Sequence, residues 1–230
     1  MSEGGMLLLN SQVLREQLPK SVLFGQRSCK GRHRNRTVTI IDWDDTILPS
    51  HEIFTNGLEN AMHRHGVVIE EFETVLREIE ESALRLLQRA LSQGLVVVVT
   101  ASESGWVEKS GAVFLPRVLA FFRKHSIRVV SARSRYERVC GPNEWKVRTF
   151  HDEIRQLFCE KKGVHVVVIG DGPFEYLAAR SLKDTYSEMI VKMVKFMEGP
   201  TPKHLHNELS VLGSEIDSIF EHYESLEIFL

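Results

Sequence analysis

The chain has 230 residues, of which 43% are hydrophobic and 26% charged, a composition that suits one globular domain with a sizeable core. A formal net charge of −2 excludes the strongly basic composition that is typical of nucleic-acid-binding domains. The apolar runs are strand-sized, well below the roughly 18 residues that a membrane-spanning helix needs, and the three widely spaced cysteines argue against a disulfide framework and fit a reducing compartment.

The first 36 residues differ from the rest of the chain in charge. They contain seven basic residues against two glutamates, and the segment "QRSCKGRHRNR" has no apolar periodicity. We therefore expect a flexible basic arm over residues 1–36 and an α/β domain over residues 37–230. The arm is either a solvated tail or a segment for targeting or anion binding. We expect a cytoplasmic location, with a mitochondrial or nuclear one as the alternative.

The remainder of the chain alternates strand-like and helix-like segments. Continuous apolar or β-branched runs predict buried strands, and apolar residues at three- and four-residue steps predict amphipathic helices. Strands are predicted at 37–42, 95–100, 127–132, 164–171 and 189–196, and helical segments at 69–93, 104–124 (interrupted by Pro116), 144–159, 174–183 and about 202–222.

This alternation predicts a parallel five-stranded sheet with helices on both faces, a three-layer Rossmann-like fold. Lys192 and Lys195 lie in the fifth predicted strand, and their charge favours an edge position, where it discourages further pairing. The intervals 49–94 and 101–144 are largely filled by elements that the sheet itself needs. We therefore expect no large cap domain.

Acidic residues crowd the end of the first predicted strand. The segment "VTIIDWDDTILPS", residues 38–50, contains Asp42, Asp44 and Asp45, and Thr46 follows them. Because like charges repel and a buried unpaired charge is costly, this segment requires a positive partner, either a metal ion or a cationic side chain.

The other predicted strands also end in polar residues. In open parallel sheets, ligands bind beyond the carboxyl ends of the strands, so these residues are expected on one rim. A hard cation such as Mg²⁺, held by carboxylate oxygens, can neutralise the acids, and a lysine at a helix start can add a second positive charge. The residues of this rim are Asp42 and Asp44, Thr100 and Ser102, Ser131 and Arg133, Asp171, and Lys146.

Four segments, in this order, resemble the motifs of the haloacid dehalogenase-like superfamily, whose members are mostly phosphatases and phosphotransferases. The segment "IIDWDDTI" is similar to the apolar strand followed by Asp-x-Asp-x-Thr, and "LVVVVT" to the strand that ends in Thr or Ser. The segment "NEWK" is similar to the lysine motif, and "VVVIGDGPFE" to the acidic motif after a later strand. The resemblance spans roughly residues 37–196, and the strings "DWDDTILPS", "TASESGWV" and "SARS" resemble superfamily members from lower eukaryotes.

This resemblance implies a magnesium-dependent phosphatase that acts through an aspartyl-phosphate intermediate. It implies that Asp42 is the nucleophile and that Asp44 is the general acid and then the general base. It also implies that Thr100 and Lys146 hold the phosphoryl oxygens. The implied metal ligands are Asp42, Asp44 through its backbone carbonyl, Asp171, and Glu175 in a place where the family usually has a second aspartate; the substrate-binding candidates are Thr46, Ser102 and Arg133.

The absence of a large cap implies an open site, which favours a phosphorylated macromolecule such as a phosphoprotein, or closure by a second subunit. We expect neither a membrane nor a nucleic-acid partner. One alternative is a binding or scaffold protein that keeps the fold without the chemistry. A second is dehalogenation of small organic acids, which uses the same nucleophile but needs neither Asp44 nor magnesium. We interpret Asp45 as a loop or cap residue and Trp106 as a packing residue.

Overall fold

Six strands form one parallel sheet in the computed structural model, which describes Leu14, Glu16, Gln17 and residues 36–57 and 70–230. Their spatial order is β3-β2-β1-β4-β5-β6, and every neighbouring pair runs parallel. β1 and β4 therefore lie in the middle of the sheet, where their residues are buried on both faces. The strands are β1 (Thr37–Ile41), β2 (Leu95–Thr100), β3 (Arg128–Ser131), β4 (His165–Gly170), β5 (Ile190–Lys195) and β6 (Leu226–Phe229).

Helices cover both faces of this sheet. One hydrophobic cluster joins one face of the sheet to the helices at residues 70–93, 106–114, 116–124 and 202–221. Another joins the opposite face to the helices at residues 142–157 and 173–185. None of the described helices is long and apolar enough to cross a membrane. After the N-terminal segment, the helices are α1 (Ser50–Thr55), α2 (Glu70–Gln93), α3 (Trp106–Phe114), α4 (Pro116–Lys124), α5 (Ala132–Tyr136), α6 (Pro142–Leu157), α7 (Pro173–Thr185) and α8 (Pro202–Glu221).

The predicted α/β class and the three-layer arrangement are confirmed. All five predicted strands are present, and the interruption at Pro116 is the start of α4, since proline is well tolerated in the first turn of a helix. The prediction of five strands is wrong by one, because β6 adds a sixth strand beside β5. The short helices α1 and α5 were not predicted either. All three missed elements have only four to six residues, too few to show a clear periodicity.

The prediction that Lys192 and Lys195 mark an edge strand is wrong. β5 pairs with β4 on one side and β6 on the other, and Lys192 is fully buried. Its Nζ donates hydrogen bonds to the backbone carbonyls of Ile219 (2.6 Å) and Phe220 (3.1 Å), near the carboxyl end of α8. These carbonyls lie in the last turn of α8, where carbonyl groups carry partial negative charge, and Lys192 adds donors to them; the carbonyl of Ile219 also accepts from the amide of His222 at 3.4 Å. Burial lowers the pKa of Lys192 from 10.5 to about 7.

This buried lysine predicts a pH dependence of stability. Between about pH 7 and 10.5 the unfolded chain binds more protons at Lys192 than the folded chain, so the free energy of unfolding should rise with pH in that window. Lys192→Met should remove this part of the slope. Urea unfolding of both proteins at pH 7 and pH 9 measures it, and an unchanged slope in the variant would contradict the assignment.

Part of the N-terminal segment packs on the domain. Leu14 is fully buried in the core, and Gln17 exchanges two hydrogen bonds with the backbone of Phe229, which lies in the outer strand β6. The amide of Gln17 donates at 2.9 Å and its carbonyl oxygen accepts at 3.0 Å. At these positions the segment does not extend as the free arm that we expected. The basic run before Arg36 lies outside the described residues.

The burial of Leu14 predicts a cost when its side chain is shortened. Leu14→Ala should lower the free energy of unfolding by about 2–4 kcal/mol, since it removes a packed side chain from the core. Leu177→Ala, which shortens a half-exposed leucine on α7, is the matched control and should cost less than about 1 kcal/mol. Equal losses in urea unfolding would show that residue 14 does not pack on the domain in solution.

Candidate active site

The chain folds back on itself directly after β1. The amides of Ile47 and Leu48 both donate to the carbonyl of Trp43 at 2.9 Å, and this closes a tight loop around the acidic segment. Asp45 adopts a positive φ of 54°, and its Oδ1 accepts from the amide of His51 at 2.8 Å. Asp45 therefore holds the loop to the first turn of α1, which agrees with its interpretation as a loop or cap residue.

Asp42 belongs to a buried ion-pair cluster centred on Lys146. Lys146, in the second turn of α6, places its Nζ 2.8 Å from Oδ2 of Asp42 and also pairs with Oε1 of Glu175. The three residues are only 5%, 2% and 3% exposed, respectively. Glu175 Oε2 accepts from the amide of Gly172 at 3.0 Å. The structure therefore places the predicted lysine beside the predicted nucleophile, although residues 42 and 146 lie far apart in the chain.

Burial and ion pairing shift the pKa of each residue in this cluster in opposite directions. Burial raises the pKa of Asp42 well above its ordinary value, and Lys146 offsets this only in part. Burial would lower the pKa of Lys146, but Asp42 and Glu175 outweigh it and raise that pKa. In Glu175 burial is again outweighed, because Lys146 lowers the pKa of this carboxyl. One lysine does not neutralise all of the carboxylates that converge here.

The acids of this cluster fit a hard cation. Asp42, Asp171 and Glu175 each offer a carboxylate oxygen, and these oxygens lie within 4.8 Å of one another. Burial and the nearby Glu175 raise the pKa of Asp171 to about 7. Oδ1 of Asp42 is buried, and no hydrogen-bond donor in the described part of the chain reaches it. Oxygen ligands with surplus negative charge are those that Mg²⁺ prefers.

Asp44 has a different environment from Asp42. Its Oδ1 accepts from Ser50 Oγ at 2.6 Å and from the indole Nε1 of Trp106 at 2.7 Å. Its Oδ2 accepts from Ser102 Oγ at 2.8 Å and from Thr100 Oγ1 at 3.0 Å. Four neutral donors thus fix the orientation of this carboxylate.

Three of the residues singled out in the sequence contact the acids of the site. Thr100, predicted to hold a phosphoryl oxygen, points its hydroxyl at Asp44. Thr46, a predicted substrate-binding residue, is fully buried and donates to Oδ1 of Asp171 at 3.4 Å. Trp106, interpreted as a packing residue, does pack against the core, and its indole also donates to Asp44. Trp106 lies four residues after Ser102 on the same rim, and this position was the signal that could have identified it as a contact of Asp44.

Arg133 lies in a cleft next to Asp44. At the start of α5, its guanidinium pairs with Glu137 at 3.0 Å and with Glu103 at 3.2 Å. Ser102 reaches both the cleft and the carboxylate of Asp44. The cleft has a volume of about 240 Å³ and is lined by Phe54, Ser102, Glu103, Ser104, Trp106, Lys109 and Arg133.

Comparisons with the models of known protein families, with curated proteins and with solved structures found no match for this chain.

Proposed function

We propose that this protein is a magnesium-dependent phosphatase that acts through an aspartyl-phosphate on Asp42. The observation that supports it is that two acids of one short loop have different surroundings. Asp42 faces Lys146 and two further carboxylates, whereas Asp44 is held by neutral donors. Two carboxylates in different environments can take different roles in one reaction.

Asp42 is suited to nucleophilic attack. Its Oδ2 is held by Lys146, while the described residues offer no donor to Oδ1, so this oxygen keeps its lone pairs for phosphorus. The lysine also reduces the repulsion between the carboxylate and an anionic phosphate. Asp42, Asp171 and Glu175, with the backbone carbonyl of Asp44, would hold Mg²⁺. When bound, the ion supplies further positive charge against the phosphate.

Asp44 is suited to proton transfer. In the first step Asp42 forms a bond to phosphorus, the bond to the ester oxygen breaks, and that oxygen takes a proton from Asp44. In the second step Asp44 takes a proton from the water that hydrolyses the aspartyl-phosphate. The donors from Thr100, Ser102 and Trp106 hold its carboxylate in one orientation during both steps.

The described part of the chain shows no large cap domain after β2. Between β2 and β4 the chain forms only α3, α4, β3, α5 and α6, all of which pack along the sheet or connect it. In the described ranges no separate domain follows β2. This supports a phosphorylated macromolecule, such as a phosphoprotein, or closure by a second subunit.

Turnover and metal binding test the proposal together. We expect hydrolysis of phosphate monoesters in the presence of Mg²⁺ and its loss on chelation. In calorimetry, Asp171→Ala should weaken Mg²⁺ binding, because it removes one anionic ligand, while the exposed Asp184→Ala is the matched control. Magnesium binding with no turnover of any phosphate ester would overturn the phosphatase assignment and favour a non-catalytic binding protein.

A further inference from the structure

Two aromatic rings form one wall of the cleft beside Asp44. Phe54, at the end of α1, and Trp106, at the start of α3, stack with ring centroids 5.6 Å apart and an interplanar angle of 19°. Phe54 is 52% exposed although it stacks on Trp106. The stacked pair thus presents an apolar surface to the cleft.

Trp106 connects this wall to Asp44, the proposed general acid. The indole Nε1 of Trp106 donates to Oδ1 of Asp44 at 2.7 Å. Ser102, which also lines the cleft, donates from its Oγ to Oδ2 of Asp44 at 2.8 Å. A general acid must lie within hydrogen-bond reach of the oxygen that it protonates. The group attached to that oxygen therefore lies next to Trp106, while the phosphoryl group lies toward Asp42.

We propose, on the basis of the phosphatase function above, that the substrate is an aryl phosphate, a phosphate ester of a phenol, whose ring packs against the wall formed by Phe54 and Trp106. In such an ester the ring is bonded directly to the leaving oxygen, which matches an indole that contacts the acid itself. A nucleotide would carry its base further away, beyond the sugar. Asp42 forms the bond to phosphorus, the bond to the aryl oxygen breaks, and its electron pair and a proton from Asp44 give the free phenol.

The size of the cleft agrees with this substrate. Lys109 and Arg133 line the cleft together with Glu103, so its charged lining is mixed. Glu103 and Glu137 pair with Arg133 and fix the position of its guanidinium. A volume of about 240 Å³ lies below the range of about 300–1,000 Å³ for sites that hold drug-sized ligands, so the cleft suits a single ring.

The test compares an aryl with an alkyl ester in matched variants. Phenyl phosphate is intrinsically more reactive than glycerol 2-phosphate, so a preference of the wild type alone is not diagnostic. The measured quantity is the ratio of the two kcat/KM values. We expect Phe54→Ala to lower this ratio about 2- to 10-fold, the range of aromatic pair interactions. Phe229→Ala removes an equally exposed phenylalanine, 51%, at the opposite side of the sheet, and should leave the ratio as in the wild type.

The outcomes separate the substrate from the function. An equal ratio in wild type and Phe54→Ala, with magnesium-dependent hydrolysis of both esters, would overturn the aryl assignment and leave the phosphatase standing. No hydrolysis of either ester would overturn both. If the ratio falls, kcat/KM for a phosphotyrosine peptide shows whether the aryl group belongs to a protein or to a small molecule. A higher kcat/KM for the peptide than for phenyl phosphate assigns a protein substrate, and a lower one assigns a small aryl phosphate.

Discussion

Asp42→Asn is expected to abolish formation of the phosphoenzyme and to lower turnover at least about 10³-fold. The reason is that the amide cannot attack phosphorus, whereas the asparagine has nearly the same shape and can still contact Lys146. Asp44→Asn should act at a later step. With p-nitrophenyl phosphate, whose leaving group needs little protonation, Asp42 is still phosphorylated, but no base activates the water.

The predicted consequence for Asp44→Asn is that aspartyl-phosphate accumulates. Loss of general base assistance slows the second step by about 10²–10⁴-fold. Rapid acid quench and intact mass measurement should then show an added mass of about 80 Da, that of HPO₃ in a covalent aspartyl-phosphate.

The third acid of the same loop supplies the control. Asp45→Asn keeps an oxygen that can accept from the amide of His51, so it should retain turnover and show no accumulation. Accumulation in Asp42→Asn but not in Asp44→Asn would reverse the two roles, and its absence in every variant would leave the covalent mechanism without support.

Lys146→Met is expected to be the most destabilising single change in the site, with a loss of about 3–5 kcal/mol in the free energy of unfolding. The methionine fills similar space but leaves the buried carboxylates of Asp42 and Glu175 without their cation. Adding Glu175→Gln should restore part of the stability, because it removes one of the two unpaired charges.

An exposed ion pair provides the comparison for Lys146. Lys162 lies 3.5 Å from Glu188, and both side chains are largely exposed, so Lys162→Met should cost less than about 1 kcal/mol. Urea unfolding in metal-free buffer measures all of these variants. A loss for Lys146→Met no larger than that for Lys162→Met would show that the lysine does not balance buried charge in the folded protein.

The sequence was most informative about elements with a strong repeating pattern. The apolar runs of β1, β2 and β4 and the long helix α2 were predicted within two residues of their observed bounds, because burial on both faces or on one stripe leaves a clear pattern in the residues. It was least informative where an element is short. β6 has four residues, and without it Lys192 and Lys195 indicated that β5 was an edge strand.

The sequence by itself determined which acids reach the rim, because a parallel sheet brings the carboxyl ends of its strands to one side. Asp42, Asp44 and Asp171 lie where the strand pattern placed them. Only the tertiary structure decided what these acids contact. The hydroxyl of Thr100 and the indole of Trp106 reach Asp44 from 56 and 62 positions away. Such contacts depend on how loops and side chains of separate elements pack together, and no local periodicity of the chain records that packing.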